Sequence, residues 1–251
     1  KFTDDDVKFP SMGVSDVGRA EIVFQLGSRI HLLNVSNGKS KPIDIAVPGA
    51  RETLRPKAVN ASNHLMSGDI SSTGKRVVAE ARGDIWTAPV ENGAPRQLTN
   101  SSGAADRLPT WSPDGRWVSY FSDADGEYEL YITQSDGKGE TRQLTDGNQT
   151  YFMSSSWSPD SKTIYAVDKA GKMYLVDVES GETSNFDTEP LANPIGVSWS
   201  HDSRWITYAK ASEGSFSSSI WIYDTESGDK HQVTSGFFND SSPAFSSKGD
   251  F

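Results

Sequence analysis

One tight turn, written five times in register, limits what this chain can fold into. Its copies are Ser71-Ser72-Thr73-Gly74-Lys75, Ser112-Pro113-Asp114-Gly115-Arg116, Ser158-Pro159-Asp160-Ser161-Lys162, Ser200-His201-Asp202-Ser203-Arg204 and Ser246-Ser247-Lys248-Gly249-Asp250. The chemistry suits a sharp reversal. Proline fixes φ at the second position, aspartate bonds its own backbone, and glycine accepts positive φ at the fourth. The fourth positions (74, 115, 161, 203, 249) stand 41, 46, 42 and 46 residues apart.

The stretch 108–144 shows what lies between turns: four short runs rich in aromatic and β-branched residues, separated by Asp, Gly, Ser and Pro. Four strands per unit at a period of roughly 40–45 residues is the pattern of a β-propeller blade. The expected fold is therefore all-β, a propeller built of four-stranded antiparallel blades. Hydrophobic residues make up only 35% of the chain, but aromatics reach 10%, and large rings fill the seams between stacked sheets well. No run of 18 apolar residues is present to span a membrane as a helix. The absence of cysteine excludes a disulfide framework and a thiol nucleophile. The net charge of −10 argues against nucleic acid, whose phosphates require Lys and Arg.

Taken in order, the chain opens with Thr3-Asp4-Asp5-Asp6, which lacks the spaced ligands and shaping glycine of a cation loop; residues 1–16 read as a solvated tail. A blade-like piece follows, with strands expected at 21–26, 29–35 and 41–45, an upstream turn at Asp16-Val17-Gly18-Arg19 and a hairpin at Asn37-Gly38. Pro48, Gly49 and Pro56 then interrupt the pattern. The resulting division is 1–48 as the last blade-like piece of a preceding propeller, 49–62 as a junction, and 63–251 as a partial second propeller. That second part holds four full blades and the start of another at 242–251. Strands are expected at 76–81, 84–90 and 95–98, at 164–167, 173–178 and 183–186, and at 205–209, 220–223 and 231–233. Asp177-Val178-Glu179-Ser180-Gly181 and Asp224-Thr225-Glu226-Ser227-Gly228 read as matching hairpin turns. A sheet ending one turn into a blade leaves an unpaired edge, so the propeller is expected to be incomplete as written.

These residues carry a resemblance. The Trp-Ser-Pro-Asp-Gly-Arg/Lys turn, preceded by Arg-Gln-Leu-Thr at 96–99 and 142–145, resembles the repeat of TolB and of tricorn-type proteases, and also recurs in prolyl-oligopeptidase-type serine peptidases. Two longer stretches favour tricorn. Arg82-Gly83-Asp84-Ile85-Trp86-Thr87-Ala88-Pro89-Val90 resembles the first full blade of its second propeller, and Asp125-Gly126-Glu127-Tyr128-Glu129-Leu130-Tyr131-Ile132 the next. The junction with Arg55-Pro56-Lys57 resembles the passage between tricorn's two propellers. The resemblance implies a large oligomeric, cytoplasmic serine peptidase that trims oligopeptides, with its catalytic domains C-terminal to both propellers. It implies that the second propeller admits peptides along its axis to those domains. The alternatives it leaves are a TolB-like protein-binding propeller of the periplasm and the lid of a prolyl-oligopeptidase-type enzyme.

The residues themselves offer no catalytic set. No Gly-x-Ser-x-Gly elbow occurs, and the four histidines are scattered: His31 in a strand, His64 before one, His201 in a repeat turn, His231 in an outer strand. Nothing matches a zinc motif. Asp123, Asp125 and Glu127 alternate in one hairpin, where a weak calcium site competes with a solvated acidic turn, and the missing ligand loop favours the turn. Sequons at Asn34, Asn60, Asn100, Asn148 and Asn239 would matter only in a eukaryotic secretory host. The expected site residues are therefore none, for catalysis, cofactor or metal.

Overall fold

Each repeat turn is closed by two atoms of its first serine. The serine carbonyl accepts the fourth residue's N–H, at 2.8 Å for Gly74 and Gly115, 2.9 Å for Ser161 and 3.0 Å for Ser203. Its Oγ accepts the N–H five residues on, from Arg76 (3.1 Å), Trp117 (2.9 Å), Thr163 (3.0 Å) and Trp205 (2.8 Å). In the two Ser-Pro-Asp copies the hydroxyl proton goes to the aspartate, Ser112 to Asp114 and Ser158 to Asp160, both at 2.6 Å. The fourth residue is left-handed throughout, at φ +67, +74, +62 and +64. Glycine adopts that conformation freely, whereas Ser161 and Ser203 are strained by about 1–2 kcal/mol. Their hydroxyls are used in return. Ser161 Oγ accepts from Asp114 N and Ser203 Oγ from Asp160 N, both at 3.0 Å, so each turn is tied to the one before it.

The computed structural model describes residues 7–46, 59–101, 103–147, 150–191, 195–211 and 217–246. The chain divides into two compact units, Lys1–Ala58 and Val59–Phe251. The first holds one antiparallel sheet of β1 (Val7–Val14), β2 (Ala20–Leu26), β3 (Arg29–Asn34) and β4 (Ser40–Ile43), in that order. The second opens with a single 3-10 turn, Ala61–His64, and continues with four such sheets. Blade A is β5 (Leu65–Ile70), β6 (Arg76–Ala81), β7 (Asp84–Pro89) and β8 (Arg96–Gln97); blade B is β9 (Asp106–Trp111), β10 (Trp117–Ser122), β11 (Glu129–Gln134) and β12 (Thr141–Gln143). Blade C is β13 (Phe152–Trp157), β14 (Thr163–Asp168), β15 (Lys172–Asp177) and β16 (Thr183–Thr188); blade D is β17 (Ile195–Trp199), β18 (Trp205–Ala211), β19 (Ser218–Asp224) and β20 (Lys230–Gln232). The first strands gather together, β9 lying against both β5 and β13. That is the inner wall of a propeller.

The seams are apolar and each carries a tryptophan at the end of a first strand. Trp111 packs with Val78 and Ile85 of blade A, and with Val118 and Tyr120 of its own blade. Trp157 joins Phe121, Leu130 and Ile132 of blade B to Ile164 and Val176 of blade C. Trp199 borders the cluster of Tyr165, Met173 and Phe186 with Ile206 and Tyr208. The Trp157 indole donates to Ser119 Oγ (3.0 Å) and that of Trp199 to Ser156 Oγ (3.2 Å), each reaching back to the preceding blade. The three tryptophans thus occupy equivalent places, as the register of the repeat requires.

The Gln-Leu-Thr motif, Gln-Val-Thr at 232–234, has a backbone task. Thr99, Thr145 and Thr234 accept, through Oγ1, the N–H of Ile85 (2.9 Å), Leu130 (2.8 Å) and Ile220 (3.0 Å), extending the outer pairing by one bond. The hairpins at Asp177 and Asp224 do match: each aspartate Oδ1 takes the N–H groups two and three residues on, and each carbonyl takes the glycine N–H. Asn34 closes an identical hairpin in the first unit.

Two expectations need correction. Residues 7–14, read as part of a solvated tail, form β1 paired with β2. The strand is exposed along its whole length and broken by a bulge at Phe9-Pro10, so no apolar alternation marks it. The upstream turn begins one residue earlier than expected, with Gly18 N donating to Ser15 O at 2.8 Å. Thr3-Asp4-Asp5-Asp6, Arg55-Pro56-Lys57 and the last turn beyond Ser246 lie outside the described residues. Thr145→Val should cost about 1–3 kcal/mol, because it leaves the N–H of fully buried Leu130 unpaired. Ser180→Ala, in an exposed hairpin, should stay within about 0.5 kcal/mol. Urea denaturation of the two variants checks both values.

Candidate functional site

A β-bulge interrupts the first strand of every sheet, at 8–11, 65–68, 107–110, 152–154 and 195–197. Bulges re-aim side chains and end regular pairing. In β9 the bulge residue Leu108 is left-handed (φ +52), which turns its N–H toward blade A. In β5 it brings Gly68 so close to its partner strand that a Cβ would stand 2.7 Å from the Val78 carbonyl oxygen, so only glycine fits.

Glu80 organises this place. Its side chain is almost wholly buried, and Oε2 accepts from Ser67 Oγ (2.7 Å) and from Leu108 N (3.2 Å). Its Oε1 lies 3.9 Å from Arg107 Nε. The Arg107 guanidinium is held by two further groups, donating to Tyr151 Oη at 3.4 Å and lying 5.9 Å over the Tyr128 ring. The Tyr151 hydrogen bond and the Tyr128 and Glu80 charges raise its already high pKa against partial burial. Tyr128 and Tyr151 meet edge to face at 5.2 Å. Beside this cluster a cleft of about 400 Å³ opens between blades A and B, lined by His64, Met66, Glu80, Arg82, Ala104 and Arg107 among others.

The remaining N–H groups on the free edge of β9 are also taken by blade A. Asp106 N donates to Gly83 O (2.8 Å), Trp111 N to Asp69 Oδ2 (2.8 Å), and Pro109 has no donor. The Asp106 carboxylate is fully buried, and neither oxygen has a hydrogen-bond partner among the described residues. Nearby, burial and the bond to Asp125 push the Tyr131 phenol up to about 12.

The residues weighed from the sequence do not converge. His31 lies 5.6 Å from the Phe24 ring in the first unit, His201 is in an exposed turn, His231 is exposed on β20, and His64 alone reaches the cleft. Asp123 and Asp125 spend their carboxylates on Ala105 N (2.6 Å) and Tyr131 Oη (3.0 Å). Among the described residues no three His, Cys, Asp or Glu side chains are grouped to hold a metal. Asn34, Asn60 and Asn239 use their side chains to cap neighbouring backbone, while Asn148 lies outside the described residues. Sequence reasoning passed over Arg82, Glu80 and Arg107. The one signal was Arg82-Gly83, a two-residue turn with Arg where Asn is favoured.

At the opposite edge of the fold, Asp187 of β16 ties blade C to blade D. It accepts from Tyr208 Oη (2.5 Å) and Lys210 Nζ (2.8 Å), with Lys230 Nζ at 3.5 Å. Burial raises the Asp187 pKa, but the Lys210 and Tyr208 bonds outweigh it and hold the carboxyl below its ordinary value.

Residues 65–251 match the family model described as the tricorn protease second beta propeller domain. The chain is 26% identical over 236 residues to "Tricorn protease homolog 1" of Streptomyces coelicolor, covering 92% of this chain and 22% of that protein. It is 30% identical over 168 residues to "Uncharacterized peptidase YuxL" of Bacillus subtilis, covering 66% of this chain and 24% of that one. The solved structure of the tricorn protease superposes with a TM-score of 0.67 at 19% identity, over 98% of this chain and 23% of the other. The chain therefore spans about a quarter or less of the length of these proteins.

A carboxyl with a depressed folded pKa contributes stability that is present above its unfolded value and lost as pH falls through the folded one. Protein stability should therefore drop as pH falls below about 4, the ordinary carboxylate range. Asp187→Asn should cost about 1–3 kcal/mol at neutral pH and flatten that acid limb. Thermal melts at a series of pH values measure both effects.

Proposed function

This chain belongs to the tricorn protease family, and we propose that it serves as a gate and scaffold for a serine peptidase that degrades oligopeptides. Catalysis is assigned to peptidase domains outside this sequence, and the substrate to an unfolded peptide passing the inner wall of the blades. The edge of β9 carries this reading. A bare strand edge pairs with any extended peptide through alternating N–H and C=O groups. Here the N–H groups of Asp106, Leu108 and Trp111 are already bonded to blade A, and Pro109 has none to offer. Such a wall can border a moving peptide without zipping onto it, which suits passage better than retention.

The chain contains no cysteine, so one introduced thiol can be labelled selectively in a cysteine-free background of the full protein. Met153, exposed at the bulge of β13, is the position to replace. Met153→Cys carrying a bulky maleimide should slow hydrolysis of long peptides at least about tenfold, a barrier change of about 1.4 kcal/mol, and leave di- and tripeptide substrates nearly unaffected. Equal rates for labelled and unlabelled protein on every substrate length would remove the gate. The 251-residue chain by itself should leave fluorogenic tri- and tetrapeptides intact. Turnover abolished by a serine-directed inhibitor, with the label found on this chain, would show a nucleophile here after all.

A further inference from the structure

We propose that the cleft between blades A and B is a carboxylate-binding site built on Arg82 and Arg107. Both arginines line the same cleft of about 400 Å³. Arg107 is pre-set. Tyr151 Oη, the Tyr128 ring and Glu80 Oε1 hold it from three sides, yet 44% of its side chain remains exposed. A side chain already fixed loses little entropy on binding, and a planar guanidinium matches a carboxylate through paired N–H donors.

Arg82 is the less expected member. It sits at φ +59, followed by Gly83 at φ +81, in a two-residue hairpin between β6 and β7. That place favours Asn, Asp or Gly, and an arginine there is strained. It is exposed, and no carboxylate pairs with it among the described residues. Among the described residues no ion pair engages its guanidinium, which leaves its charge free for a group from outside the chain.

The one acidic group lining the cleft, Glu80, faces Arg107 and offsets part of its charge, so the lining keeps a net positive charge through Arg82. Both Glu80 oxygens face protein partners: Ser67 Oγ and Leu108 N at one, Arg107 at the other. His64 adds a further donor at the wall, and Met66 and Ala104 give an apolar floor for the atoms next to a carboxylate. The surrounding chain is strongly acidic, at −10, which disfavours extended polyanions and leaves a single small anionic group as the fitting occupant. That a peptide brings the carboxylate rests on the peptidase reading above; the affinity for a carboxylate does not.

Calorimetry on the 251-residue chain tests this with four probes: an N-acetylated tetra-alanine with a free C-terminus, its C-terminal amide, the same amide with one internal Glu, and inorganic phosphate. The free acid should bind at least about tenfold more tightly than the plain amide. Binding of the Glu-containing amide as tight as that of the free acid assigns the site to acidic side chains; weaker binding assigns it to the C-terminus. Arg82→Asn should reduce acid binding by a similar factor while leaving the melting temperature unchanged or raised, because Asn suits the left-handed turn. Arg107→Lys should weaken binding and keep the charge. Equal binding of acid and amide, phosphate binding tighter than any peptide, or full affinity in Arg82→Asn would each overturn the proposal. None of these outcomes bears on the Met153 labelling result, so the site and the gate fail separately.

Discussion

A serine hydroxyl at the head of each repeat turn is the interaction on which the rest depends. One Oγ accepts the backbone N–H five residues on and, in the Ser-Pro-Asp copies, gives its proton to the aspartate that caps the same turn. The first and second strands of a blade are thereby held in register by the turn itself. A slip of one residue would turn every inward side chain outward. With register fixed, Trp111, Trp157 and Trp199 stand at equivalent seams.

Function on such a scaffold depends on what the innermost strands expose. Bulges occur in each first strand, and in β9 the bulge turns a backbone N–H onto Glu80 of the neighbouring blade. The same carboxylate steadies Arg107, so the device that blunts the strand edge also shapes the cleft beside it. One buried acid links the wall to Arg107 and the two tyrosines that hold it.

Much of this was legible in the sequence. The repeat turn, its spacing and most strands of blades A to D follow from φ requirements and alternation, which are local properties of the chain. β1 was not legible, because none of its residues is buried and a Phe9-Pro10 bulge breaks its pattern. The task of Gln-Leu-Thr was visible as a motif but not as chemistry, since Thr145 meets Leu130 only after the blade has formed. The cleft was invisible for a similar reason. Arg82 and Arg107 belong to different blades, and nothing local announces that Glu80 reaches across to Leu108.

Repeats that resemble one another so closely invite exchange of one blade for another during folding. The seams carry an answer. Between blades A and B, Glu80 and Asp69 accept backbone N–H groups; between B and C, Arg142 donates to the Val178 and Glu179 carbonyls; between C and D, Asp187 accepts from Lys210 and Tyr208. Ser161 on Asp114 and Ser203 on Asp160 repeat one contact at the last two seams. Gly115, standing where Ser161 and Ser203 stand, has no hydroxyl to offer the blade before it. The blades thus share one backbone plan, and neighbouring blades are told apart by polar contacts that differ from seam to seam.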